Sequence, residues 1–235
     1  MKNFIMQHFE PFREDAIEQM KRTGKSLPFI VEHSVANIKA YAEHLGAEYK
    51  LLNGEPFQAG LRGQCQKCAA INEEFDEYDV VVVLDTDKFM TRKGWDQNIF
   101  EAQGIACFDD VHRQRILPKF CHEFPRISNL DYPIWSGACY VMPREFRQLM
   151  RKQINPAMRK MFEAISPKPY VDEGIFHVLC HKARFKLDKY LDERWDYSSY
   201  LPNPQNAYMI HVRHKPKTRE ENYRDLLEAG IIYNG

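Results

Sequence analysis

The densest chemistry in the chain is Asp85-Thr86-Asp87, which follows directly on the apolar run VVVVL at residues 80–84. In open α/β sheets ligands collect beyond the carboxyl ends of the strands. Two carboxylates at i and i+2 in a bending segment converge on one hard cation. Mg²⁺ and Mn²⁺ take oxygen ligands of this kind and bridge to substrate phosphates. A second group, His211, Arg213, His214, Lys215 and Lys217, lies near the C-terminus. Imidazole suits Mn²⁺, and Lys or Arg neutralises a diphosphate. A third, Trp135-Ser136-Gly137-Ala138, combines a flat apolar face, a hydroxyl and a glycine that lets a ligand approach the backbone. The fourth, Asp172-Glu173-Gly174, opens an apolar stretch of helical spacing. Acidic residues there either complement the helix dipole or orient hydroxyls and act as a base.

Strand alternation separates the two late histidines. Met209, His211 and Arg213 share one face, while Tyr208, Ile210 and Val212 form the core-facing set. His211 is therefore the expected metal ligand, with Asp85 and Asp87, and Lys215 the expected diphosphate contact. His214 is expected to reach phosphate or solvent.

Other candidates fall away. Leu61, Cys65, Cys68 and Phe75 keep helical spacing with Ile71 beside them, so the Cys-x-x-Cys pair reads as part of an apolar face rather than a zinc or redox site. His177 and His181 stand one helical turn apart, but no Glu follows His177 as a zinc protease requires. No Gly-rich dinucleotide or P-loop signature and no Ser nucleophile elbow is present.

The elements that must position these groups alternate. Strands are expected at residues 2–9, 47–52, 78–84, 104–108, 138–142 and 207–212. Helices are expected at 11–22, on a helix capped by Ser34 and ended by Gly46, at 61–75, 144–153, 156–165, 172–182 and 219–229. The last opens with the capping box Thr218/Glu221. Residues 109–133 carry little periodicity and read as a functional loop. Alternating strands and helices imply an α/β layered sheet, expected as one domain over residues 1–235.

Composition narrows the class. Lys plus Arg and Asp plus Glu both total 33, and this zero net charge disfavours a general nucleic-acid binder. With 44% hydrophobic residues the chain can build a core, yet no apolar run reaches the roughly 18–20 residues of a membrane span. Six cysteines and no secretory signal point to a reduced, cytoplasmic protein.

Taken together, the motifs resemble the GT-A class of nucleotide-sugar-dependent glycosyltransferases, in the manner of compact bacterial or large-virus members. Asp85-Thr86-Asp87 looks like their DXD motif. Residues 135–138 resemble the small-residue strand that meets the donor sugar, Asp172-Glu173 the acidic pair facing donor and acceptor, and His211 the late metal-binding His. The resemblance covers about residues 2–217. One departure is that the stretch from His211 to Pro216 lacks the Gly and Trp that galactosyltransferase-like relatives carry there. The resemblance implies a mostly parallel GT-A sheet flanked by helices. It also implies transfer of a hexosyl or deoxyhexosyl group from a nucleoside-diphosphate sugar to a glycan or other hydroxyl acceptor. Mn²⁺ (or Mg²⁺) would sit on Asp85, Asp87 and His211, the donor on Asp85, Trp135, Ser136, Gly137 and Lys215, and Asp172 or Glu173 would be the catalytic carboxylate. Inversion and retention both stay open. A metal-dependent nucleotidyltransferase and a non-catalytic sugar- or nucleotide-binding module are the alternatives.

Overall fold

The computed structural model describes residues 1–10, 14–24, 27–109 and 111–234. Pro11 and Phe12, where the sequence reading starts its first helix, lie outside the described residues, as does the side chain of Ala16. In chain order the elements are β1 (Asn3–His8), α1 (Glu14–Thr23), α2 (Phe29–His44), β2 (Glu48–Leu52), β3 (Val80–Leu84), β4 (Lys88–Met90), α3 (Leu117–Glu123), β5 (Cys139–Pro143), α4 (Arg144–Arg151), α5 (Pro156–Ile165), α6 (Val171–Ala183), β6 (Tyr197–Ser198), β7 (Met209–His211) and α7 (Arg219–Glu228).

The main sheet has the order β2-β1-β3-β5. β1 pairs in parallel with β2 and β3, and β5 closes the far edge antiparallel to β3. This is the α/β sheet that the alternation implied, mixed and mostly parallel as the resemblance implied. The valine run at β3 has its reason in the two cores. Val81 and Val83 pack with Phe146 of α4, Phe162 of α5 and Phe176 of α6. Val82 and Leu84 pack on the other face with Ile38 and Tyr41 of α2. A strand buried on both faces has no polar side to alternate with.

A second, three-stranded sheet, β4-β7-β6, stands beyond the carboxyl end of β3. Its register places both Lys88 and Ser198 opposite His211. β7 is also buried on both sides: Met209 joins the α2 core, while Ile210 and Val212 join Phe89, Tyr223 and Leu226 beneath α7. The expected division of this strand into one core face and one cleft face therefore holds for His211 but not for Met209.

Four local expectations are corrected. Ser34 does not cap a helix; α2 begins five residues earlier, at Phe29, with no side-chain cap. The stretch expected as a helix over 61–75 is a 3₁₀ helix, Gly63–Ile71, followed by a short one at Glu73–Phe75. Cys65, Cys68 and Ile71 recur every third residue, which is the 3₁₀ period and not the α period. Residues 104–108 form no strand, because their carbonyls serve three separate segments. Ile105 accepts from Val141, Ala106 from Leu191 and Cys107 from Ser136. The expected loop at 109–133 contains a π turn, His112–Ile116, running into α3. The capping box of α7 is present as read.

All six cysteines are free, and Cys65 and Cys68 are fully buried in the core. Among the described residues no helix is long and apolar enough to cross a membrane.

His177 of α6 is a core histidine. Its Nε2 accepts from the Asn129 N–H at 3.3 Å, so Nδ1, 3.1 Å from the Pro133 carbonyl, is the protonated nitrogen. Burial pushes its pKa from 6.5 down to about 4, against the pull of the Pro133 carbonyl. The unfolded chain binds a proton that the folded chain refuses, so stability is full above pH 6.5 and falls as pH drops towards 4. Urea unfolding should show a loss of about 2 kcal/mol between pH 7.5 and 4.5 that His177→Gln lacks.

Candidate active site

β3 ends at Leu84, and the chain turns at once. The Lys88 N–H donates to the Asp85 carbonyl at 3.2 Å, and the Asp85 N–H donates to the Ala138 carbonyl at 3.1 Å. A buried polar network grips the turn from beneath. Gln7 Nε2 donates to the Asp85 carbonyl and to Ser34 Oγ, both at 2.9 Å; Ser34 Oγ donates to the Lys88 carbonyl at 2.7 Å. Tyr49 donates to Gln7 Oε1 at 2.8 Å. Ser34, read as a helix cap, is thus a clamp between α2 and the acidic turn.

Across the turn, β7 delivers His211. Its Nε2 lies 2.8 Å from Asp87 Oδ1 and 3.9 Å from Asp85 Oδ2. One ligand atom from each of Asp85, Asp87 and His211 falls within 4.8 Å of the others. The set suits a divalent cation: two carboxylates and one imidazole match Mn²⁺ well and Mg²⁺ acceptably. Asp87 Oδ1 faces the His211 Nε2 edge, and the other ring nitrogen, Nδ1, is buried without a hydrogen-bond partner. Asp87 is buried, which opposes ionisation, yet His211 and Arg219 hold its carboxyl well below the usual carboxylate range. Arg219 Nη2 stands 2.9 Å from Asp87 Oδ2.

The three groups open into a cavity of about 760 Å³. The cavity is also lined by Ser136, Gly137, Asp172 and Glu173, and by His8, Phe9, Pro28, Ile30 and Val31. Asp172 is only 2% exposed; its Oδ2 accepts from the Tyr140 hydroxyl at 3.1 Å. Burial pushes its pKa up to about 7, opposed by Lys67. Glu173 Oε1 accepts the Gly137 N–H at 3.1 Å. Gly137 is required by close approach: a Cβ there would stand 2.6 Å from Asp172 Oδ2.

The residue that joins the two walls is Lys67, which the sequence reading did not single out. Its Nζ lies 2.6 Å from Asp85 Oδ1, 2.6 Å from the Gly137 carbonyl and 3.1 Å from Asp172 Oδ2, at 4% exposure. Burial opposes its charge, but Asp172 and Asp85 together keep its pKa above the ordinary value. The available signal was a single Lys inside the otherwise uncharged, Cys- and Ala-rich run at residues 63–71. A lysine in a buried stretch is almost always paired.

Asp85, Asp87, Ser136, Gly137, Asp172, Glu173 and His211 all line this one cavity. Two expected donor contacts do not. Trp135 is 1% exposed and packs into the core against Phe146, because the Ser136 N–H bonds to Cys107 and the side chain before it is turned inward. Lys215 is exposed outside the cavity; the wall there belongs to Arg213, His214 and Arg219.

No protein-family model and no curated protein matches the chain. Solved structures do match. A glycosyltransferase involved in the glycosylation of the major capsid of PBCV-1 aligns over 97% of this chain and 100% of its own, at 12% identity and a TM-score of 0.54. The bifunctional glycosyltransferase WbbM, in its apo form, aligns over 95% of this chain at 10% identity and a TM-score of 0.54; the match spans 49% of WbbM. The chain has the fold of the GT-A glycosyltransferases.

Replacing Lys67 by Met leaves two carboxylates facing each other without their cation. Chemical denaturation should show a loss of roughly 3–5 kcal/mol, and adding Asp172→Asn should recover part of it. An unchanged midpoint in Lys67→Met would show that the bridge is not structural.

Proposed function

We propose that this chain is a divalent-metal-dependent glycosyltransferase that moves a sugar from a nucleoside-diphosphate donor to a hydroxyl acceptor such as a glycan. One observation carries the reading: Asp85, Asp87 and His211 converge beyond β3 in a cleft whose facing wall holds Asp172 and Glu173. The like-folded glycosyltransferases support sugar transfer over other uses of a strand-end cation site.

Asp85, Asp87 and His211 would hold Mn²⁺ or Mg²⁺, which when bound supplies positive charge against the departing diphosphate. Arg213 and Arg219 take over the diphosphate role expected of Lys215, since they face the cleft and Lys215 does not. The rings and aliphatic groups of Phe9, Pro28, Ile30 and Val31, which also line the cavity, suit a nucleobase. Ser136 and the Gly137 backbone line the same cavity and would meet the donor sugar. Of the acidic pair, Glu173 is 20% exposed, whereas Asp172 has Oδ2 committed to Lys67 and Tyr140. Glu173 is therefore the carboxylate placed to receive or steer the acceptor's hydroxyl proton. Asp172 orients the wall. Six free cysteines fit a reducing compartment such as the cytoplasm.

A panel of nucleoside-diphosphate sugars with Mn²⁺ tests the assignment by release of nucleoside diphosphate. Turnover should vanish in millimolar EDTA and return with added Mn²⁺. Asp87→Asn, folded by circular dichroism, should lose turnover by about a hundredfold or more, in line with the loss of one preorganised electrostatic group. Full activity in that variant, or turnover of nucleoside triphosphates in place of sugar nucleotides, would overturn the reading.

A further inference from the structure

Behind His211, on the side away from the cleft, lies a second buried charge pair that no step above uses. Asp196 sits immediately before β6, and its Oδ1 is 3.8 Å from His211 Nδ1. Lys88, the residue after Asp87, is fully buried and ion-paired to the same carboxylate; its Nζ also donates to the Trp195 carbonyl at 3.3 Å. The juxtaposition is written into the small sheet. Lys88 of β4 and Ser198 of β6 both lie opposite His211 of β7, so three adjacent segments deliver ammonium, carboxylate and imidazole to one point.

A buried ion pair is costly to desolvate and contributes little net stability by itself. The His211 ring is 2% exposed, and its Nδ1 has no hydrogen-bond partner. The ring edge facing Asp196 is buried, and a carboxylate oxygen lies 3.8 Å from Nδ1, within a small ring tilt of hydrogen-bond range. A histidine offers a cation its Nε2 lone pair only when its proton sits on Nδ1, and an acceptor at Nδ1 fixes that tautomer. Lys88 in turn keeps the carboxylate in place.

We propose that Asp196, held by Lys88, is a positioning residue that orients His211 and commits its Nε2 to the cation site formed with Asp85 and Asp87. The inference rests on the metal reading of that site and goes beyond it: it assigns a function to Asp196 and Lys88 through His211, not through contact with cation or substrate.

The test is Mn²⁺ affinity, read from free Mn²⁺ by electron paramagnetic resonance on the full chain without nucleotide. The forms compared are wild type, Asp196→Asn, His211→Ala, and the two single substitutions combined. Asp196→Asn should weaken Mn²⁺ binding by about tenfold or more, as loss of a group behind a metal-binding histidine does. In the His211→Ala background the same substitution should change affinity less than about twofold, because the ring it acts through is gone. Since Asp196→Asn strands the Lys88 charge, the paired variant Lys88→Met/Asp196→Asn removes both charges and should fold with the same weakened Mn²⁺ binding. Unchanged affinity in the folded Asp196 variants, or an equal loss with and without His211, overturns the proposal while leaving the metal site intact. Absence of Mn²⁺ binding to the wild-type chain would instead overturn the metal reading beneath it.

Discussion

The ammonium of Lys67, out of water and shared among Asp85, Asp172 and the Gly137 carbonyl, ties the end of β3 to the start of α6. Without that cation, two acidic groups would face each other uncompensated. With it, the acidic turn, the Gly137 wall and the helix carrying Glu173 are held at fixed separation. The close approach at Gly137 follows from this bridge, since a side chain there would occupy the space that the Asp172 carboxylate fills.

The same logic repeats around the cleft. Three buried or half-buried cations are set against carboxylates: Lys67 against Asp85 and Asp172, Lys88 against Asp196, and Arg219 against Asp87. Burial disfavours every one of these charges singly, and only the pairings make the arrangement affordable in a low-dielectric setting. The result is a rim of preorganised charge around the cleft.

The fold supplies the stage for this rim. The parallel strands β1 and β3 end together, the buried valines of β3 leave it no freedom to slide, and the Gln7–Ser34 clamp fixes the backbone of the turn. The small sheet then brings His211 back across the turn from more than a hundred residues later in the chain. The acidic pair divides by burial: Asp172 is spent on Lys67 and Tyr140, while Glu173 stays partly exposed to the cavity.

What the sequence by itself determined is local and periodic. The β-branched VVVVL run suits a strand buried on both faces, the aspartates after it then emerge at its carboxyl end, and alternation along β7 turns His211 towards them. Such features are legible because each depends on a residue and its near neighbours. Roles that depend on partners distant in the chain are not legible in this way. Lys67 gains its role from Asp85 and Asp172, eighteen and about a hundred residues away, and Asp196 lies 108 residues from Lys88. Ser34 has the chemistry of a cap, but packing made it a clamp on Lys88. Trp135 and Lys215 have the right residue types and the wrong directions, because the bond from Ser136 to Cys107 turns one inward and the wall formed by Arg213 and Arg219 displaces the other. Side-chain direction in loops and the pairing of buried charges are properties of the tertiary structure, since burial alone sets whether a charge must find a partner and which one lies within reach.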